Sequence, residues 1–271
     1  MPVSIGPVSL SGQAVRLDNP DSFIRFGLIA LATDLTSEHD FYRQMPQERV
    51  ATHVSRVAYE NPTSVENLAK MAPRLTDAAG LIAPGETLRA ICYSCTAASV
   101  VIGDDKVRAA IQQARPGVEV VTPPGAALAA FRALGARRIS ILTPYTVETS
   151  TPMAAYFAAQ GLDVLNLECL GLKDDREMAR VSSRTIIDAA IAAHREEAEA
   201  VFISCTNLPV LEHIGELEKR LGKPVVSSNQ ASAWAMARLA GLADHKSPGH
   251  GVLYDRQWPF SKASQATGEI A

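Results

Sequence analysis

Short apolar runs of strand length alternate along the chain with longer segments whose apolar residues recur every three or four positions. FGLIALA (26–32) is continuous and apolar, as in a strand buried on both faces, and HVSRVAYE (53–60) alternates. Ala90–Tyr93, Val118–Val121, Ile139–Thr143, the run that opens LDVLNLECLGL (162–172), Val201–Ile203 and Val225–Val226 continue the series. Helical spacing marks 65–81, where Pro73 predicts a kink or a division, and then 104–114, a segment ending at Gln160, 184–197 and 230–239. Thr36 or Ser37 is placed to cap a short helix after the first strand, and Thr146 or Thr149 the helix that ends at Gln160. Strands alternating with helices at this spacing predict parallel α/β sheets.

The pattern occurs twice. ICYSCTAASVVIG (91–103) brings a β-prone run to a Ser-Cys-Thr triplet and an apparent helix start, and VFISCTNLPVLEHIGELEKRL (201–221) does so again, with Cys205 in the place of Cys95. VEVVTPPGAALAAFRALG from Val118 and KPVVSSNQASAWAMARLAG from Lys223 are a second matched pair, each a strand, a small polar turn and an Ala-rich helix. The duplication predicts two pseudo-symmetric flavodoxin-like lobes, each with a four-stranded parallel sheet flanked by helices, and an active-site cleft between them. The first lobe is expected over 22–122, completed by 230–255, and the second over 123–229, with terminal extensions at 1–21 and 256–271.

A strand that turns directly into a helix puts its turn residue at the carboxyl edge of the sheet, where open α/β folds bind ligands. Cys95 and Cys205 occupy that place, and Thr33 and Asp34 lie at another strand end. A helix start favours anions, so it is expected both to stabilise a thiolate and to hold a substrate carboxylate. Isolated free cysteines are usually packing residues, and Cys92 and Cys169 keep that reading. Cys92 and Cys95 form a C-x-x-C without the second pair a zinc site needs, and no two of the six histidines have metal-ligand spacing, so no metal is expected.

Of the 271 residues 47% are hydrophobic and 20% charged, ordinary values for a globular protein, and the net charge of -3 argues against nucleic acid or an anionic membrane as partner. Met1–Leu10 lacks the basic start and apolar core of a signal peptide, and no apolar run approaches the roughly 18 residues of a membrane span, so a cytoplasmic protein with reduced thiols is expected.

Two Cys-Thr turns on duplicated α/β units resemble the aspartate/glutamate racemase superfamily, over about Arg25 to Tyr254. Within it the chain is most similar to the maleate cis-trans isomerase and arylmalonate decarboxylase group. GLIALATDLTSE resembles that group's first substrate loop, YSCTAAS and FISCTNLP its two cysteine loops, and LTPYTVE its tyrosine loop. DDREMAR and VVSSNQA most resemble the racemase-like ectoine-utilisation branch. The resemblance implies a cofactor-independent enzyme, often a homodimer, with Cys95 and Cys205 catalytic. It also implies that Thr96, Ser99, Thr206 and Asn207 hold a carboxylate and that Tyr145 contacts substrate. The decarboxylases lack the first cysteine, which counts against simple decarboxylation here. Two positions that carry a carboxylate-holding Asn in maleate isomerases align with Asp34 and Asp175. An ionised Asp repels a carboxylate, so the substrate expected is a carboxylate that also bears an amine, such as an acetylated diaminobutyrate.

Two facing cysteines supply the acid and the base of a two-base racemase or epimerase, the primary expectation. The alternative is a cis-trans isomerase in which Cys95 adds to an alkene carbon, the single bond rotates, and elimination follows. A third possibility is a binding or sensor protein for small acids on the same scaffold.

Overall fold

The computed structural model describes residues 6–19 and 22–260. Residues 6–19 contain no helix or strand and are exposed. Eight strands follow: β1 (Ile24–Leu31), β2 (Val50–Val57), β3 (Ala90–Ser94), β4 (Glu119–Val121), β5 (Arg138–Thr143), β6 (Asp163–Cys169), β7 (Ala200–Ile203) and β8 (Val225–Ser227). They form two four-stranded parallel sheets of the same order, β2-β1-β3-β4 and β6-β5-β7-β8. The expected fold class is the observed one. β3 and β7 are buried along their whole length, which explains apolar runs without alternation.

The helices that shape the site are α1 (Ser37–Gln44), α2 (Val65–Ala69), α3 (Leu75–Gly80), α4 (Thr96–Ile102), α5 (Asp104–Ala114), α6 (Pro123–Leu134), α7 (Val147–Ala159), α8 (Asp175–Met178), α9 (Ser183–Ala193), α10 (Ile214–Leu221) and α11 (Ser228–Leu239). The segment containing Pro73 is divided there: α2 gives way to a 3-10 turn over Ala72–Arg74 before α3 begins. α6 and α11, the helices that end the two repeats, pack side by side and cross over. Phe131 of α6 packs edge-on against Phe157 of α7 and Phe202 of β7, with centroids 6.0 Å away in each case, so α6 sits on the second sheet. α11 packs against α1 and β3 of the first sheet.

Three local expectations are corrected. β2 runs over 50–57 rather than 53–60, because its partner β1 ends at Leu31, opposite Val57. α9 stops at Ala193 rather than 197: His194 is extended, and the Arg195 N–H leaves the helix for Ser140 Oγ. No helix starts at Cys205; α10 begins only at Ile214, after a 3-10 turn. Pro209 stands where the first copy has Ser99, and a proline disfavours helical geometry at the residue before it, here Leu208.

Candidate active site

In each sheet the chain reverses its direction of travel across the sheet between the first and third strands, so the loops leaving β1 and β3, and those leaving β5 and β7, diverge and open a crevice. The two crevices meet edge to edge. Thr206 Oγ1 donates to the Ser94 carbonyl at 3.0 Å. Asn207 spans the junction: its Oδ1 accepts the Leu35 N–H at 2.8 Å, and its Nδ2 donates to the backbone and carboxylate oxygens of Asp175, both at 2.9 Å. Thr33 Oγ1 donates to the same carboxylate oxygen. Thr33, Asp175 and Asn207 thus form one inter-lobe cluster, and the charge of Asp175 acts on both Cys95 and Cys205.

The two cysteines stand in different backbones. Cys95 is the N-cap of α4; its side chain closes no cap hydrogen bond, but the N–H groups of Ala97 and Ala98 lie near enough to favour its thiolate. Ser99 closes that turn by donating its hydroxyl to the Cys95 carbonyl at 2.7 Å, and Thr96 Oγ1 donates to Ser228 Oγ at 2.8 Å. Cys205 has φ 110°, a conformation that costs a non-glycine residue about 1–3 kcal/mol and persists only where its surroundings impose it. Its sulfur accepts the Asn207 N–H at 3.3 Å, and the nearby Tyr145 phenol favours its thiolate.

Neither thiol has its acidity raised, contrary to the expectation from a helix start. Burial is the largest cause for both and pushes each well above the ordinary range. Cys95 is 6% and Cys205 4% exposed, so desolvation of a thiolate outweighs the N–H donors. Asp175 raises Cys205 next, whereas Cys95 recovers part of the shift from Ala98. Burial likewise pushes Cys92 up to about 12, consistent with a packing residue.

Asp34 turns inward. Its Oδ1 accepts the N–H groups of Thr36 and Ser37 at 3.0 and 2.8 Å, and its Oδ2 accepts the Ser37 hydroxyl at 2.7 Å. Asp34 therefore satisfies the start of α1, a task the sequence assigned to Thr36 or Ser37. The Thr146 cap of α7 is found as expected, its hydroxyl accepting the Thr149 N–H.

Four site residues escaped the sequence reading. Tyr59 was placed inside a strand, but with β2 ending at Val57 it falls on the loop at the carboxyl edge, where its phenol feels Cys95, Asp175 and Cys205. Ser228 Oγ accepts both the Thr96 hydroxyl and the Cys205 N–H, the latter at 3.1 Å, and so ties the two cysteine loops together. Asn229 Nδ2 donates to Asp40 and to the Thr206 carbonyl. The signal for Ser228 and Asn229 was their repeat position, a polar turn after a strand. The strand that carries each cysteine is β3 or β7, however, and only packing shows that the β8 turn meets both.

Burial raises Asp34 to about 6 and Asp40 to about 7; for Asp40 the Asn229 donor and Arg43 oppose the shift and the Asp34 charge adds to it. A carboxyl that holds its proton more tightly in the fold favours folding most where both states are protonated, because above its ordinary value the unfolded chain gains by ionising and the fold does not. That contribution is complete below its ordinary value of 3.8 and is lost as pH rises through about 7 for Asp40. Asp40→Asn removes the buried charge and is expected to melt above the parent protein at pH 8, the gap closing toward pH 4. A gap independent of pH in thermal melts would contradict this.

A family model described as arylmalonate decarboxylase matches residues 71–254, well over half of the chain and including both cysteine loops. The chain belongs to the arylmalonate decarboxylase family. Arylmalonate decarboxylase from Bordetella bronchiseptica is 36% identical over 141 residues, a match that spans 51% of this chain and only 59% of that enzyme. Maleate isomerase from Alcaligenes faecalis is 26% identical over 241 residues, 80% of this chain and 91% of the relative. A cysteine-to-serine variant of Nocardia farcinica maleate cis-trans isomerase, solved with a covalently bound succinylcysteine intermediate, superposes with a TM-score of 0.78. It is 25% identical, with 86% of this chain and 98% of that one covered.

Membership of the family places the chain among cysteine-dependent isomerases and decarboxylases of small carboxylates. Among the described residues no group of His, Cys, Asp and Glu side chains could hold a metal ion, and no helix is long and apolar enough to cross a membrane.

Proposed function

We propose that this protein is a cis-trans isomerase of small unsaturated carboxylates in which Cys95 forms a transient C–S bond and Cys205 moves the proton. The observation that carries the reading is the inequality of the two thiols. Cys95 stands at the start of α4, where the free N–H groups of a helix favour a thiolate, whereas Cys205 opens no helix and the Asp175 charge is the largest influence on it after burial. The more easily ionised sulfur is the nucleophile, and the one that holds its proton more firmly is the acid.

In the open cleft the Cys95 thiol yields its proton to water as substrate enters. Its sulfur then bonds to one alkene carbon, the π pair moves toward the neighbouring carbon, and that carbon takes the Cys205 proton. Rotation about the new single bond follows. The Cys205 thiolate removes the proton, the C–S electron pair leaves with Cys95, and the double bond re-forms in the other geometry. The succinylcysteine intermediate in the Nocardia enzyme supports such an addition for this chain. Low exposure of both sulfurs keeps water from the saturated intermediate.

Asp175 favours a second reading. Its carboxylate charge acts on both thiols, and an ammonium group would bind beside it better than a second carboxylate, which suits racemisation of an amino-acid derivative such as an acetylated diaminobutyrate. Proton NMR in D2O separates the two. Maleate is expected to give fumarate, together with a mass adduct on the Cys95 peptide. Exchange of the α-proton of acetylated diaminobutyrate, aspartate or glutamate, without any adduct, would install the racemase in its place.

A further inference from the structure

The backbone of Cys205 is held by the turn that follows β8, at the start of the helix that crosses to the first sheet. Its N–H is bound by Ser228, and the carbonyl of the next residue, Thr206, is bound by the Asn229 side chain at 2.8 Å. Ser228 and Asn229 open α11, the helix that packs on the first sheet and on α1. Two successive residues of one helix thus grip the strained turn on both of its sides. A residue at φ 110° keeps that geometry only while such contacts persist.

Asn229 performs this task in one orientation only. Its nitrogen donates both hydrogens, one to Thr206 and one to Asp40 Oδ2 at 2.8 Å. Its own oxygen is buried and has no partner among the described residues. Rotated by 180°, the amide would aim that oxygen at the Thr206 carbonyl, an acceptor with nothing to give, and would withdraw its hydrogens from Asp40. The acceptors on Thr206 and Asp40 together hold the amide in the orientation that grips the cysteine turn. Asp40 is itself buried on α1, with His39 and Arg43 on the same helix and Asp34 before it as its charged neighbours.

We propose that Asp40 is a positioning residue for Cys205, acting through the Asn229 amide on the Thr206 carbonyl. The link to activity rests on the proposed role of Cys205, but the turn itself is open to measurement without any substrate. Rates of iodoacetamide labelling of Cys95 and Cys205, followed by peptide mass spectrometry, report the two sites separately. Asp40→Leu removes the acceptor and is expected to raise the Cys205 rate about tenfold while Cys95 changes by less than about twofold, the scale of one lost buried hydrogen bond. Asp40→Asn keeps an acceptor oxygen for Asn229 and should return the Cys205 rate to near that of the parent protein.

Asn229→Ala should match Asp40→Leu, and the double variant should be no faster than Asn229→Ala alone, because both changes break one chain of contacts. If Asp40→Leu does not fold, the comparison of Asn229→Ala with the parent decides. Equal acceleration of both cysteines, or additive single effects, would show general loosening and overturn the proposal. Absence of turnover with every carboxylate tested would overturn the reaction proposed above and leave this labelling result standing.

Discussion

Cys205→Ser is expected to accept maleate onto Cys95 and then stall. With the thiol that donates and recovers the proton replaced by a far weaker acid, elimination cannot proceed at its normal rate, and turnover should fall about 10²–10⁴-fold, the range general acid-base catalysis supplies. Cys95→Ser should show no adduct and no turnover, since a serine hydroxyl without an adjacent base is a poor nucleophile. Intact-protein mass spectrometry reads the adduct and NMR the turnover, with circular dichroism confirming that each variant folds. The contrast between the variants carries the assignment. It follows from the backbone, because Cys95 caps α4 and Cys205 does not cap a helix. An adduct on Cys205 in the Cys95→Ser protein would reverse the roles, and full activity in either variant would end the two-thiol mechanism.

Asp175→Asn should make the protein a better maleate isomerase. The Asp175 charge raises both thiols and would repel a substrate carboxylate bound beside them. An Asn keeps an oxygen to accept from Thr33 and Asn207, so the inter-lobe cluster can survive the change. Because burial holds both thiols protonated, the parent enzyme's rate is expected to climb with pH through the neutral range rather than pass through a maximum there. Removing the charge should displace that climb toward lower pH by about one unit and raise kcat/KM for maleate about tenfold, the equivalent of about 1.4 kcal/mol. An unchanged pH profile with weaker maleate use would mean that Asp175 is needed as a carboxylate, and would favour the amine-bearing substrate.

The two halves of this active site were unequally legible. Cys95 and Cys205 stand out because each follows a β-prone run that ends in the same triplet, and a parallel α/β fold sends strand ends to the ligand-binding edge. Asp34 and Asp175 look alike in sequence, two acids after strands. In the fold the first is held by the N–H groups of α1, with its charge acting on Cys95, while the second is held by Thr33 and Asn207 and its charge acts on both thiols. Which of these outcomes applies depends on hydrogen-bond partners up to 142 residues distant in the chain.

Local patterning by itself determined the strands, the helices, the duplication and the strand ends that bear the cysteines, because periodicity and turn chemistry act within a few residues. Tertiary structure alone decided the ionisation of the thiols, since desolvation depends on everything packed around a sulfur and here exceeds the pull of a helix start. It also decided the strained turn at Cys205. That turn is imposed by Ser228 and Asn229, from a helix that crosses between the lobes, and no property of the segment around Cys205 encodes the grip.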